Sequence, residues 1–160
     1  MEPSGLVAMN AISAIDRFAA LSVRTGLSLG IMYSSRVDDF NLMLGAAARS
    51  FAAGRRYSER EVNDILQIWL ASAGSMLSVD HVELRRWLVD CRLLARDGYG
   101  HAYALAAPAP EFALLASALS GVDLAAVAAA ARARDAEARQ ERKRKWAEAA
   151  QGGGSGARGG

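Results

Sequence analysis

A single cysteine, two histidines, three prolines and two lysines stand in a chain of 160 residues. Cys91 has no partner for an internal disulfide and no spaced thiols for a metal site, a pattern that fits a reducing cytoplasm. His81 and His101 fall in no H-x-x-x-H spacing, so a metal centre is not expected. No glycine-rich phosphate loop follows a strand. The apolar N-terminal run carries Glu2 where a signal peptide would be basic, and Asp16, Arg17 and Arg24 interrupt it. Neither a secretory leader nor a membrane span is expected. With no converging nucleophile, base and acid, the chain is read as a non-enzyme without cofactor, membrane partner or evident small-molecule substrate.

Strong charge of one sign is also missing. The net charge is +2 and the pI about 9.0, yet residues 132–160 hold 8 Arg/Lys against 4 Asp/Glu, leaving 11 positive and 13 negative charges on residues 1–131. The body is slightly acidic and the tail basic. Such a body lacks the cationic face of a strong non-specific DNA binder.

Hydrophobic residues make up 52% of the chain, but alanine supplies much of that and buries little area per residue. The larger apolar side chains gather between Phe40 and Leu105. Ahead of them, Met9, Ile12, Ile15 and Phe18 recur at three-residue steps and predict a helix over 6–21. The segment RTGLSLGIMY fits either a short strand or a helical turn. Val37–Ala53 aligns Phe40, Met43, Leu44, Ala47 and Phe51, with Asp38 and Asp39 in the first turn and Gly54 behind, which predicts the first domain helix. Ser58-Glu59-Arg60-Glu61 is a capping box, and Val62, Ile65, Leu66 and Trp69 form the stripe of a second helix. A serine- and glycine-containing loop follows, with Met76 and Leu77 tucked inward. Asp80 to Glu83 repeats the cap pattern before a third helix that presents Leu84, Trp87, Leu88 and Cys91 to the core. Leu93–Arg96, the turn Asp97–Gly100 and His101–Leu105 read as a hairpin whose glycines provide positive φ. Tyr103 and Leu105 share a parity and pack inward.

These elements stand in winged-helix order. The expected fold is mainly α with a small β-hairpin: a winged helix-turn-helix domain over 36–107, an N-terminal helical extension over 1–35, and C-terminal helices over 108–150. Pro108 and Pro110 close the domain, a short helix runs from Glu111 to Leu119, and an alanine-rich, then basic, helix continues to about Ala150. GGGSGARGG within 151–160 is read as a flexible tail.

RRYSEREVNDIL (Arg55–Leu66), DHVELRRWLVD (Asp80–Asp90) and LLARDGYGHAY (Leu93–Tyr103) together resemble a bacterial family catalogued as domain of unknown function 2087. The likeness covers roughly residues 36–107 and rests on the combination of an R-x-Y-[ST]-E-x-E-V-N helix start, an L-R-R-x-L-V-D helix and a glycine-containing hairpin. No activity is established for that family. Some members resemble transcriptional regulators that join this domain to a helix-turn-helix, so the resemblance implies a DNA-related role.

In a helix-turn-helix, the recognition helix offers the outer side chains near its N-terminus to base edges while flanking groups hold phosphates. Here those positions are His81, Val82, Arg85 and Arg86, with Arg55, Arg56, Arg60 and Arg96 as phosphate contacts, and double-stranded DNA is the expected partner. Residues 36–107 carry nine Arg and nine Asp/Glu, so pairing of Arg85 and Arg86 with Glu83, Asp90 or Asp64 is an equal expectation. Arg139, Arg142, Lys143, Arg144 and Lys145 form a basic run able to hold nucleic acid non-specifically. The competing class is a non-catalytic protein-interaction module, a homo-oligomer or one with a protein partner.

Overall fold

The computed structural model describes residues 11–99 and 101–152. α1 (Ala11–Ser22) is followed by α2 (Leu29–Ser35), α3 (Val37–Ala48), β1 (Tyr57–Ser58), α4 (Glu59–Ala71), α5 (His81–Asp90), β2 (Leu94–Arg96), β3 (Ala102–Leu105), α6 (Pro110–Ala118) and α7 (Leu124–Gly152). The described part is thus mainly helical with one small antiparallel sheet in the order β1-β3-β2. From α3 to β3 the three helices and the hairpin follow one another as expected, and the short β1 between α3 and α4 adds a third strand to the hairpin. Tyr57 lies opposite Tyr103, and Leu94 opposite Leu105.

α3 is the central element. Asp39, Phe40 and all seven residues from Leu42 to Ala48 are buried, so this helix has no solvent face along most of its length. Such a helix must be lined on every side. α2, α5, α6 and α1 supply the lining. Arg17 on α1 holds Asp39 through two hydrogen bonds, 2.8 Å from Nε and 2.6 Å from Nη2. That pairing satisfies a buried carboxylate and raises the Arg17 pKa further above its ordinary value.

Local chemistry places the next elements. At α4 the capping box is complete: Ser58 Oγ accepts from Glu61 N–H, and Glu61 accepts from Ser58 N–H at 3.1 Å. The backbone and hydroxyl hydrogen bonds of Ser58 hold the Glu61 carboxyl below its usual pKa range. At α5 only half of the pattern forms, with Asp80 Oδ1 accepting from Glu83 N–H at 2.8 Å. α5 ends on a left-handed residue, Arg92 at φ 61°. There Arg92 N–H bonds Val89 O and Leu93 N–H bonds Leu88 O, the 5→2 and 6→1 closure that usually recruits glycine.

Several local details differ from expectation or resolve what it left open. α3 stops at Ala48, and residues 49–51 continue as turns in which each N–H reaches back three residues. The core explains this, because the shorter helix still delivers Phe51 to a buried site edge-on to Tyr57, 5.1 Å between rings. The wing turn does not use positive φ at Gly98; Asp97 Oδ1 instead accepts from the N–H groups of Tyr99 and His101, a side chain replacing backbone geometry. The undecided segment before α2 is both things, a single bridge of Leu27 to Leu77 and then a helix. α7 runs two residues past the expected end, to Gly152. The expected helix start at Leu6, the Met9 position, Gly100 and most of the glycine tail lie outside the described residues.

α7 docks by its first two turns, through Leu124, Ala128 and Ala131 against α1. Arg132 then fastens it, donating to Ser22 O at 2.9 Å and Ser72 O at 3.0 Å. Those carbonyls terminate α1 and cap α4, where a cation is electrostatically favoured.

Gly74, in the loop after α4, turns back beneath Trp69: a Cβ built there would lie 2.1 Å from the indole ring. Overpacking of this kind costs about 1 to 3 kcal/mol. Gly74→Ala is therefore expected to lower the urea midpoint clearly, whereas Gly98→Ala, with nothing within 4 Å, leaves it unchanged. Equal midpoints for the two variants would reject this packing of Trp69.

Candidate nucleic-acid interface

The orientation of α5 decides which of its side chains can meet a partner. Leu84 and Leu88 are fully buried and set its inner face. Trp87 leans toward α2 and α3, with its ring edge-on to Phe40 at 5.0 Å and tilted against Tyr33 at 5.5 Å. Cys91, half-buried, continues that side. Burial first, and Asp90 second, push its thiol above the ordinary range.

Arg85 points the other way, into the body. Its guanidinium meets Glu59 Oε1 at 3.0 Å, hydrogen-bonds Asn63 Oδ1, and lies 5.9 Å from the centre of the Tyr103 ring, with 14% of the side chain exposed. It thus braces α5 against the start of α4 and the sheet. Arg86 is the opposite case. It is exposed and, among the described residues, makes no ion pair, on the outer side of α5 with Glu83 and Asp90 at three and four residues' distance, where helical neighbours meet. One cation and two carboxylates therefore share the face that a recognition helix would present.

The remaining expected positions separate in the same manner. His81 Nδ1 sits 3.3 Å from Gln67 Nε2 of α4, and Val82 is half-buried. Arg55 stacks 4.8 Å above the Tyr57 ring and bonds Glu61 at 3.2 Å. Arg56, Arg60 and Arg96 are exposed and, among the described residues, have no ion pair, Arg96 standing at the end of β2 opposite Tyr103. At the tip of the wing, Tyr99 is 87% exposed, its ring nearly parallel to that of His101 at 6.4 Å.

A second cationic surface lies on α7. Every residue from 136 to 152 is exposed, so this stretch stands clear of the body as a lone helix. Arg139 pairs with Asp135 at 2.8 Å and Arg144 with Glu141; among the described residues Arg142, Lys143 and Lys145 have no ion pair. Arg139, Arg142, Lys143 and Trp146 line one shallow groove, as their three- and four-residue spacing requires. Trp146, 76% exposed, and Tyr99 were not among the expected contact residues. An aromatic placed directly after Arg142–Lys145, or at the turn of a hairpin, is the sequence signal that would have pointed to them.

Residues 32–105 match the family described as uncharacterized protein conserved in bacteria (DUF2087), a segment that runs from within α2 to the end of β3. No curated protein and no solved structure matches the chain. Among the described residues no three His, Cys, Asp or Glu side chains come together as a metal site, and no helix is long and apolar enough to cross a membrane.

Two outcomes follow from these surroundings. Arg85→Ala is expected to cost about 1 to 3 kcal/mol in urea unfolding, because it strips a charged partner from Glu59 and Asn63. Arg86→Ala should stay within about 0.5 kcal/mol. The reverse order would show that α5 is rotated from the orientation described. The raised Cys91 pKa means less thiolate at any given pH, so alkylation by iodoacetamide at pH near 8 should run slower than for free cysteine and accelerate only above the ordinary thiol range. Faster-than-free reaction at neutral pH would overturn this environment.

Proposed function

We propose that the protein is a cytoplasmic, non-catalytic DNA-binding regulator or accessory protein of winged-helix type, in which α5 and the wing set the pose and the basic stretch of α7 supplies most of the affinity. The observation that carries this proposal is the exposed run Arg142–Lys145 on a helix free of the body. Four successive cations at about 100° steps surround that helix with charge, and phosphate neutralisation with counter-ion release dominates affinity for duplexes. Arg86, Arg56, Arg60 and Arg96 add contacts that the carboxylates Glu83 and Asp90 partly offset. The domain thus contributes shape and the helix contributes attraction.

A second reading, a protein-interaction module or homo-oligomer, is favoured by Ile31, Tyr33 and Val37 at the α2–α3 corner, exposed to 66%, 56% and 50%. Apolar side chains clustered in this way mark contact surfaces more often than single exposed residues do.

Binding of the full chain to random duplex DNA across a salt series separates the two. With about four phosphates neutralised, the log–log slope is expected near −3 to −4. Replacing Arg142, Lys143, Arg144 and Lys145 together by Gln should flatten most of that slope, since none of the four packs on the body. No mobility shift by the full chain, even at low salt, rejects the proposal. A mass that doubles with concentration, without DNA binding, favours the second reading.

A further inference from the structure

We propose that the groove between the C-terminal end of α3, α6 and the β3–α6 linker is a binding site for a small carboxylate with an apolar body. Its volume is about 540 Å³, within the range of sites that enclose small ligands. Buried Phe51, Leu93 and Phe112 line it, with half-buried Leu105. The walls are small: Gly45, Ala48, Ala106 and Ala116 among them. Where these elements meet, side chains too short to fill the space leave a concavity with an aromatic and aliphatic lining.

Arg49 supplies the polar end. It is the C-cap residue of α3, half-buried at the groove, and its Nη1 donates to Val122 O at 3.1 Å. Among the described residues it forms no ion pair, and its Nε and Nη2 hydrogens have no protein acceptor. Asp123 borders a neighbouring depression with Arg49 but stays outside ion-pair distance. The side-on pair Nε–H and Nη2–H is the edge that grips a carboxylate through two parallel hydrogen bonds. A partly desolvated cation lacking an anion, beside an apolar groove, is complementary to a molecule bearing one carboxylate and a hydrocarbon or aromatic body. This inference is independent of nucleic-acid binding and would survive the failure of that proposal.

Octanoate is the probe and octanol its uncharged control, titrated into the full chain and followed by amide chemical shifts. One saturable site is expected with a Kd below about 1 mM, moving the amides of Phe51, Leu105, Ala106 and Phe112. Arg49→Gln, which can still donate to Val122 O, should weaken octanoate about tenfold and leave octanol nearly unchanged. Ala116→Trp, at an exposed wall position that tolerates bulk without disturbing the core, should block both. The absence of saturable shifts, shifts confined to other surfaces, or equal loss of both probes in Arg49→Gln would each overturn the proposal. So would a concentration-dependent dimer that octanoate dissolves, which would assign the groove to a second copy.

Discussion

Complete enclosure of α3 is the constraint on which the other elements depend. A helix with Phe40, Leu42, Met43 and Leu44 pointing outward in every direction is stable in water only if each direction is covered. Burial of each such side chain contributes about 1.5 to 3 kcal/mol, and its neighbours are placed by that demand. On the side where the sequence turns small, Gly45 lets α6 approach, with a glycine Cβ position only 3.5 Å from Leu115. On the opposite sides α5 and α2 bring the aromatic trio Tyr33, Phe40 and Trp87 together. The segment matched by the family, from residue 32 to 105, begins inside α2 and leaves α1, α6 and α7 outside, although α1 and α6 help to close the pillar.

The same packing determines which charges are free. α5 is held by its leucines within the domain and by Arg85 at its flank, so the arginine that looks like a base reader in the motif LRRWLVD is spent on Glu59, Asn63 and Tyr103. Its neighbour Arg86, one residue and about 100° further round the helix, is left outside. Adjacent identical residues thus take opposite roles because a helix cannot face two adjacent side chains the same way. A nearly neutral domain with a cationic appendage separates shape from attraction, which differs from a recognition helix that carries both.

Much of this was legible locally. The cap residues Ser58 and Asp80, the Asp97-Gly98 turn and the alanine-rich C-terminal helix are short-range features, and short-range hydrogen bonds produce them in the structure. The end of α3 was not legible, because Phe51 needs a buried place beside Tyr57 and that partner is known only once β1 has paired with β3. Nor could the sequence tell Arg85 from Arg86, since the choice depends on where Glu59 and Asn63 arrive after α4 has folded back. The order of the helices and the hairpin followed from patterning alone; the third strand followed only from the pairing of Tyr57 with Tyr103. Arg49 and its groove gave no sequence signal at all, being made by residues from three elements whose small side chains mean nothing until they face one another.

The free part of α7 has a consequence set by its rigidity. Seventeen exposed residues, 136–152, extend about 25 Å as a helix, and alanine keeps them ordered with little help from packing. A coil of the same composition would surrender backbone freedom on meeting a polyanion; a rod has already surrendered it. On the DNA-binding proposal, its cations would reach beyond the globule and deliver their attraction with little ordering cost, so that encounter would begin at the rod's far end and the compact part would arrive second.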